Sequence, residues 1–85
     1  MNDIFMAEPG KPEVKLGEGK DVTVTASGNH VYAAWIKGED LVLWTDGVEQ
    51  TVANHAAYPN LTALQAGGAL LAWEQEPGIS MKRLP

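Results

Sequence analysis

The sequence predicts an all-β fold, on three observations. Short runs rich in β-branched or alternating apolar residues recur along the chain. Each run ends in a cluster of Gly, Asn, Asp or Pro, at the spacing of about eight to twelve residues that marks short strands joined by turns. No stretch carries a helical period, since the one candidate, Leu61 to Leu71, holds Gly67-Gly68 inside it and reads as strand, turn and strand.

In order, Asp3 to Ala7 is an apolar run closed by the turn Glu8-Pro9-Gly10. Pro12 to Leu16 alternates and is expected to end at Gly17-Glu18-Gly19. Val22 to Ala26 is β-branched and stops at Ser27-Gly28-Asn29. Val31 to Ile36 follows, then the turn Lys37-Gly38-Glu39-Asp40. Leu41 to Trp44 is apolar on both faces and meets Thr45-Asp46-Gly47, a hairpin signal. Glu49 to Ala53 is polar, as suits an edge strand. After a loop at Asn54 to Pro59 the cycle restarts with Leu61 to Leu64, Ala69 to Trp73 and Ile79 to Leu84.

The restart is a repeat. Trp35 and Trp73 stand 38 positions apart, and the same step puts Thr25 on Ala63, Ala34 on Ala72, Leu41 on Ile79 and Leu43 on Met81. Taken backwards, it puts Val52 on Val14 and Val42-Leu43 on Ile4-Phe5. A period of about 40 residues holding four strands is that of a β-propeller blade.

The segments NDIFMAEPGKPEVKL, VYAAWIKGEDLVLWTDG and YPNLTALQAGGALLAWEQEPGISMKRL resemble blades of the BNR or Asp-box, sialidase-like propeller family. In such blades a Pro precedes the inner strand, the second strand ends in Ala-Trp and the third reads Asp-Ile-x-hydrophobic. The resemblance covers nearly the whole chain and implies a fold. The family's Asp box survives at most as Thr45-Asp46-Gly47. Its carboxylate-gripping arginine triad is absent, because Arg83 is the single arginine, so sialidase activity is not expected.

Residues 1–85 form one small domain, in a size range where a core is marginal without staples or association. There is no cysteine, so disulfides and thiolate zinc sites are excluded. A net charge of −5, with six scattered Lys and Arg, argues against nucleic acid or an anionic membrane as partner. No apolar run is long enough for a spanning helix, and MNDIFMAEPG lacks the pattern of a signal peptide, so the chain is expected to be soluble and cytoplasmic.

Two periods account for 76 of the residues, and two blades cannot close a ring. Blade-to-blade contact is head-to-tail, so it closes or runs on as a filament. Three copies would give six blades and four would give eight; the expectation is a homotrimer. The chain is read as starting at a third strand, and a blade shared between subunits is expected to complete both halves. Segments 1–9 and 77–85 then claim the same strand position. Ile4-Phe5-Met6 is apolar where Ser80 and Lys82 are polar, which favours the N-terminal hairpin for that place.

Propeller ligands bind near the axis, at the loops entering inner strands and joining second to third strands. Those loops supply Lys20, Lys37, Glu39, Asp40 and Glu76 as candidate ligand-binding residues, and Trp44 is a candidate sugar platform. Trp35 and Trp73, equivalent in both repeats, are expected to pack between blades. The function expected is self-assembly with binding of a small polar molecule or glycan, at the axis or between blades. The alternative is a small hydrolase of esters, lactones, phosphoesters or glycosides, with His55, Tyr58 and Glu74 as catalytic candidates. His55 aligns with Gly17, and three copies of His55 around a threefold axis could hold a divalent metal. His30, at the other end, is expected to be exposed.

Overall fold

The computed structural model describes residues 2–7 and 9–85, so Glu8 of the first expected turn lies outside the described residues. The described residues form eight strands and no helix: β1 (Asn2–Met6), β2 (Val14–Ser27), β3 (His30–Lys37), β4 (Asp40–Thr45), β5 (Val48–Ala53), β6 (Ala57–Ala63), β7 (Ala69–Gln75) and β8 (Gly78–Leu84). All pairing among them is antiparallel. One sheet runs β1-β2-β3-β4-β5 and the other β6-β7-β8. No described helix is long and apolar enough to cross a membrane.

Two sequence expectations are corrected here. The break expected at Gly17-Glu18-Gly19 does not occur, and β2 runs unbroken for 14 residues. Its first half pairs with β1 and its second half with β3. The glycines serve a close approach, because a Cβ on Gly17 would stand 3.0 Å from the Trp35 ring and one on Gly19 would strike the Ile36 carbonyl. The loop expected to reach Pro59 ends sooner, since β6 begins at Ala57. Tyr58-Pro59 forms a two-residue bulge opposite Trp73, a position where proline's missing N–H costs no ladder bond. Asp21-Val22 forms the same bulge opposite Trp35.

The molecule measures 43 × 35 × 16 Å, and β3 and β4 lie between the β1–β2 hairpin on one side and the β6–β8 sheet on the other. Between the two sheets, Tyr32, Ala34, Ile36, Leu41 and Leu43 of the first pack on Leu61, Leu71, Trp73 and Leu84 of the second. A second cluster lies on the far side of β3 and β4, where Ile4 packs with Ala33, Trp35 and Val42, flanked by Leu16 and Trp44. Period-2 alternation along β3 produces both clusters: odd-numbered Ala33 and Trp35 face the β1–β2 hairpin, even-numbered residues face the second sheet.

The internal repeat persists in the hydrogen-bonding register, with adjusted offsets. Ala34 pairs with Leu43 as Ala72 pairs with Met81, at the expected step of 38. The inner strands match at 37, because Thr25 pairs with Tyr32 as Thr62 pairs with Leu70. Thr25 therefore corresponds to Thr62 and not to Ala63; the turn Gln65-Ala66-Gly67 is one residue longer than Gly28-Asn29 and absorbs the difference. At the N-terminus a bulge puts Leu16 as the extra residue beside Ile4/Phe5, as Val52 is the extra residue beside Leu41/Val42. Ile4-Phe5 thus corresponds to Leu41-Val42, one residue away from the match read in the sequence. A one-residue slip exchanges the two faces of a strand, so this correction decides which side chain is buried. The β1–β2 hairpin stands to Trp35 as the β4–β5 hairpin stands to Trp73.

One difference between the repeats has a cost. The Trp73 indole N–H donates to Gln75 Oε1 at 2.9 Å, whereas Trp35 Nε1 is the buried polar side-chain atom without a partner among the described residues. The position matching Gln75 is Lys37, whose ammonium carries no acceptor. Lys37→Gln is expected to stabilise the fold by about 1 kcal/mol, by giving an orphaned buried donor an acceptor. Urea unfolding checks it: an unchanged midpoint would mean that Trp35 Nε1 is satisfied by other means.

Candidate functional site

The β3–β4 turn, the middle of β2, the β5–β6 link and the β7–β8 turn all lie at one end of the molecule. Two adjoining clefts open there. The first, of about 290 Å³, is lined by Lys20, Asp21, Glu39, His55 and Tyr58 over a floor that includes Ile36 and Ala56. The second, of about 320 Å³, is lined by His55, Glu74, Glu76, Pro77 and Ile79. His55 is the wall between them. The structure thus brings together six of the sequence-predicted residues: Lys20, Glu39, His55, Tyr58, Glu74 and Glu76.

Backbone conformation sets the rim. Among the described residues four that are not glycine have positive φ, and three of them, Asp21, His55 and Tyr58, line the first cleft. Left-handed backbone is costly for a histidine or tyrosine and gathers at functional sites. Here it turns the chain sharply where one sheet hands over to the next. The β3–β4 turn is held against this link, because the Ala56 N–H donates to the Glu39 carbonyl at 3.0 Å. The Glu39 carboxylate then meets His55 Nδ1 at 3.1 Å, with both side chains mostly exposed. That contact leaves Nε2 of the imidazole able to accept or donate a proton.

A second set of polar groups ties the two sheets beside the clefts. Asn54 Nδ2 donates to Asp40 at 2.8 Å, and Gln75 Nε2 donates to the Asn54 carbonyl at 3.3 Å while its oxygen accepts from Trp73. Asp40, expected as a ligand-binding carboxylate, accepts this hydrogen bond and lies outside the lining of the two clefts. Asn54 and Gln75 were not singled out in the sequence. The signal available was Gln75's place two residues after Trp73, on the same strand face.

The remaining candidates lie elsewhere. Lys37 ends β3 and is exposed, outside the lining of either cleft. Trp44 sits near the far end of β4, half-buried against Ile4 and Trp35. Trp35 and Trp73 are buried, at 1% and 7% exposure, and are closed to a ligand. His55 matches Gly19, and not Gly17, in the register of the outer strands: each lies two residues beyond the pairing of Gly17 with Ile4 and Ala53 with Leu41.

At the opposite end His30 is exposed as expected, and it is also paired. Its Nδ1 lies 2.6 Å from Asp46 Oδ2, while Asp46 Oδ1 accepts from the Val31 N–H at 3.0 Å. The backbone hydrogen bond, then the histidine, hold the Asp46 carboxyl below the ordinary aspartate range. This pair closes the Asp46-Gly47 turn, whose two positive φ values fit a type I′ hairpin. Among the described residues of one chain, no three His, Cys, Asp or Glu converge as a metal site.

Comparison with known proteins gives no match to any protein-family model, to any curated protein or to any solved structure.

Proposed function

We propose that this chain is a two-blade propeller unit that assembles head-to-tail, with three copies in the ring, and binds a small polar molecule or glycan in the cleft around His55. The observation that carries the binding reading is the convergence of Lys20, Glu39, His55 and Tyr58 on one cleft with a strained rim. A cation, a carboxylate, an imidazole and a phenol beside an apolar floor offer both charges, donors and a stacking face to a hydroxyl-rich ligand. The assembly reading is supported by the β1–β2 hairpin, which packs on Trp35 as the β4–β5 hairpin packs on Trp73. The resemblance to sialidase-like blades agrees with both.

In a ring of three, each cleft is repeated about the axis, which multiplies weak contacts into avidity. The same symmetry would gather three copies of His55. Each imidazole has a carboxylate on Nδ1 and a free Nε2, the arrangement in which histidine ligates a divalent metal.

The expected result on a glycan array is binding that Glu39→Gln and Tyr58→Ala each weaken about tenfold, the worth of a hydrogen bond to a charged group or a stacking contact. Binding abolished by Trp44→Ala, and indifferent to Glu39 and Tyr58, would place the ligand at the other end of β4. A blank array overturns the glycan part of the reading.

The His55–Glu39 contact favours a second reading, hydrolysis with His55 as general base oriented by a carboxylate. It requires turnover of chromogenic esters or phosphoesters that disappears in His55→Ala. Turnover unaffected by that change, or none at all, excludes it.

A further inference from the structure

The single chain is short of partners. It exposes 5451 Å², against about 4,900 Å² expected of a folded monomer of 9.1 kDa. Large apolar side chains stand exposed on both outer faces. Ile79 and Met81 of β8 are 63% and 65% exposed, although Leu41 and Leu43, at the matching positions of β4, are buried. On the other outer face Val24 of β2 is 57% exposed, although Leu61, its counterpart in β6, is 7% exposed. Each face lacks what the equivalent face inside the molecule has.

The strands state what is missing. Among the described residues the second sheet holds a first, second and third strand (β6, β7, β8) and no fourth. The β1–β2 hairpin matches a third and a fourth strand, and no described strand stands as its first or second. Joined between two copies, the halves make one complete blade with β1 and β8 rivals for the edge of β7. Register shows which strand suits that edge. In the complete sheet Trp35 pairs with Val42, which is 3% exposed. Trp73 pairs with Ser80 in the single chain, and the β1 residue matching Val42 is Phe5, left 52% exposed. A Phe5 side chain beside Trp73 would be covered as Val42 is, whereas Ser80 leaves the position polar.

We propose that β8 occupies in the single chain the edge of β7 that β1 of a second copy takes in the closed ring, so that β8 is an internal guard strand displaced on assembly. This rests on the propeller reading and adds to it a strand exchange between copies. A guarded edge also keeps β7 from pairing at random with other chains before the correct hairpin arrives. Two strands of a hairpin replace one, and the exchange buries Phe5 along with the face now bearing Leu70 and Ala72.

The chain has no cysteine, so disulfide trapping reports the exchange directly. Met81 faces Ala72 in the single chain, and Met6 is the β1 residue matching Leu43, which faces Ala34 in the complete sheet. Facing residues of antiparallel strands lie within about 4.5–5.5 Å at Cα, inside disulfide range. Native mass is measured first on residues 1–85. The double variant Ala72→Cys/Met6→Cys, oxidised as the assembled species, is expected to give covalently linked chains up to the full ring. Ala72→Cys/Met81→Cys is expected to form its internal disulfide in dilute single chains and not in the ring. Amide exchange on the unmodified protein gives an independent reading, with protection moving from β8 to β1 on assembly. An intact ring in which the two thiols of Ala72→Cys/Met81→Cys join within each chain, or in which β8 amides stay protected, overturns the exchange while leaving the ring. A native mass of one subunit overturns the ring and the exchange with it.

Discussion

Trp35→Ala is expected to lower the stability of the fold by about 3–5 kcal/mol, the largest loss of any single substitution considered. The side chain is 1% exposed and joins the β1–β2 hairpin to the sheet, contacting Gly17 and Gly19 beneath it and packing with Ile4, Ala33 and Val42 beside it. Truncating a buried tryptophan costs about 3–5 kcal/mol in lost transfer energy and residual cavity. A chain of this length has only about 4–13 kcal/mol of stability to lose. The hairpin cannot collapse into the gap, because its register is fixed by the Leu16 bulge and its glycines bring no side chain to fill the space. Trp44→Ala provides the comparison. That ring is half-buried at the edge of the same cluster, and its loss should cost about 1–2 kcal/mol, in proportion to the smaller area buried. Urea unfolding followed by circular dichroism distinguishes the two; equal midpoints would mean that Trp35 does not anchor the hairpin.

Gly19→Ala is nearly as damaging although it adds a single methyl group. The new Cβ would strike the Ile36 carbonyl oxygen and stand 2.6 Å from Cδ1 of Trp35. Backbone on one side and a buried ring on the other leave no room for adjustment. Overpacking of this kind reaches about 3 kcal/mol, the upper end of its range. Gly17→Ala meets only the ring, with Cζ2 at 3.0 Å, and should cost about 1 kcal/mol. A graded loss, with Gly19 well above Gly17, is the expected outcome of thermal melts. Equal and small losses would show that the hairpin lies farther from Trp35 than described.

The repeat was legible because each period carries Ala-Trp at the end of its second strand and a hydrophobic pair after the following turn. Those features survive as β3–β4 and β7–β8 at the expected step of 38. The glycines misled. Gly17 and Gly19 have turn composition, and nothing local in the sequence distinguishes a glycine that bends the chain from one that admits a neighbouring indole. The one-residue slips in the inner and N-terminal strands were equally hidden, since a bulge or a longer turn shifts register without altering composition.

The candidate site was legible in part, for a geometric reason. Loops at one end of antiparallel strands must gather in space, so knowing the strands was enough to collect Lys20, Glu39, His55, Tyr58, Glu74 and Glu76 at one end. Roles within the group depended on hydrogen-bond geometry. Asp40 looked as free as Glu39, yet Asn54 holds Asp40 and leaves Glu39 to reach His55. Trp44 looked available because no aromatic matched it, but it lies beside the end of β4 that carries the Asp46 turn, away from the clefts.

The central claim is that two blades close into a ring by adding whole copies head-to-tail, and native mass spectrometry of the purified chain tests it most directly. Closure by three copies predicts one dominant species of about 27 kDa, three times a 9.1 kDa chain, with no population of two. A folded species that stays at 9.1 kDa at every concentration, or a twofold dimer, would contradict it.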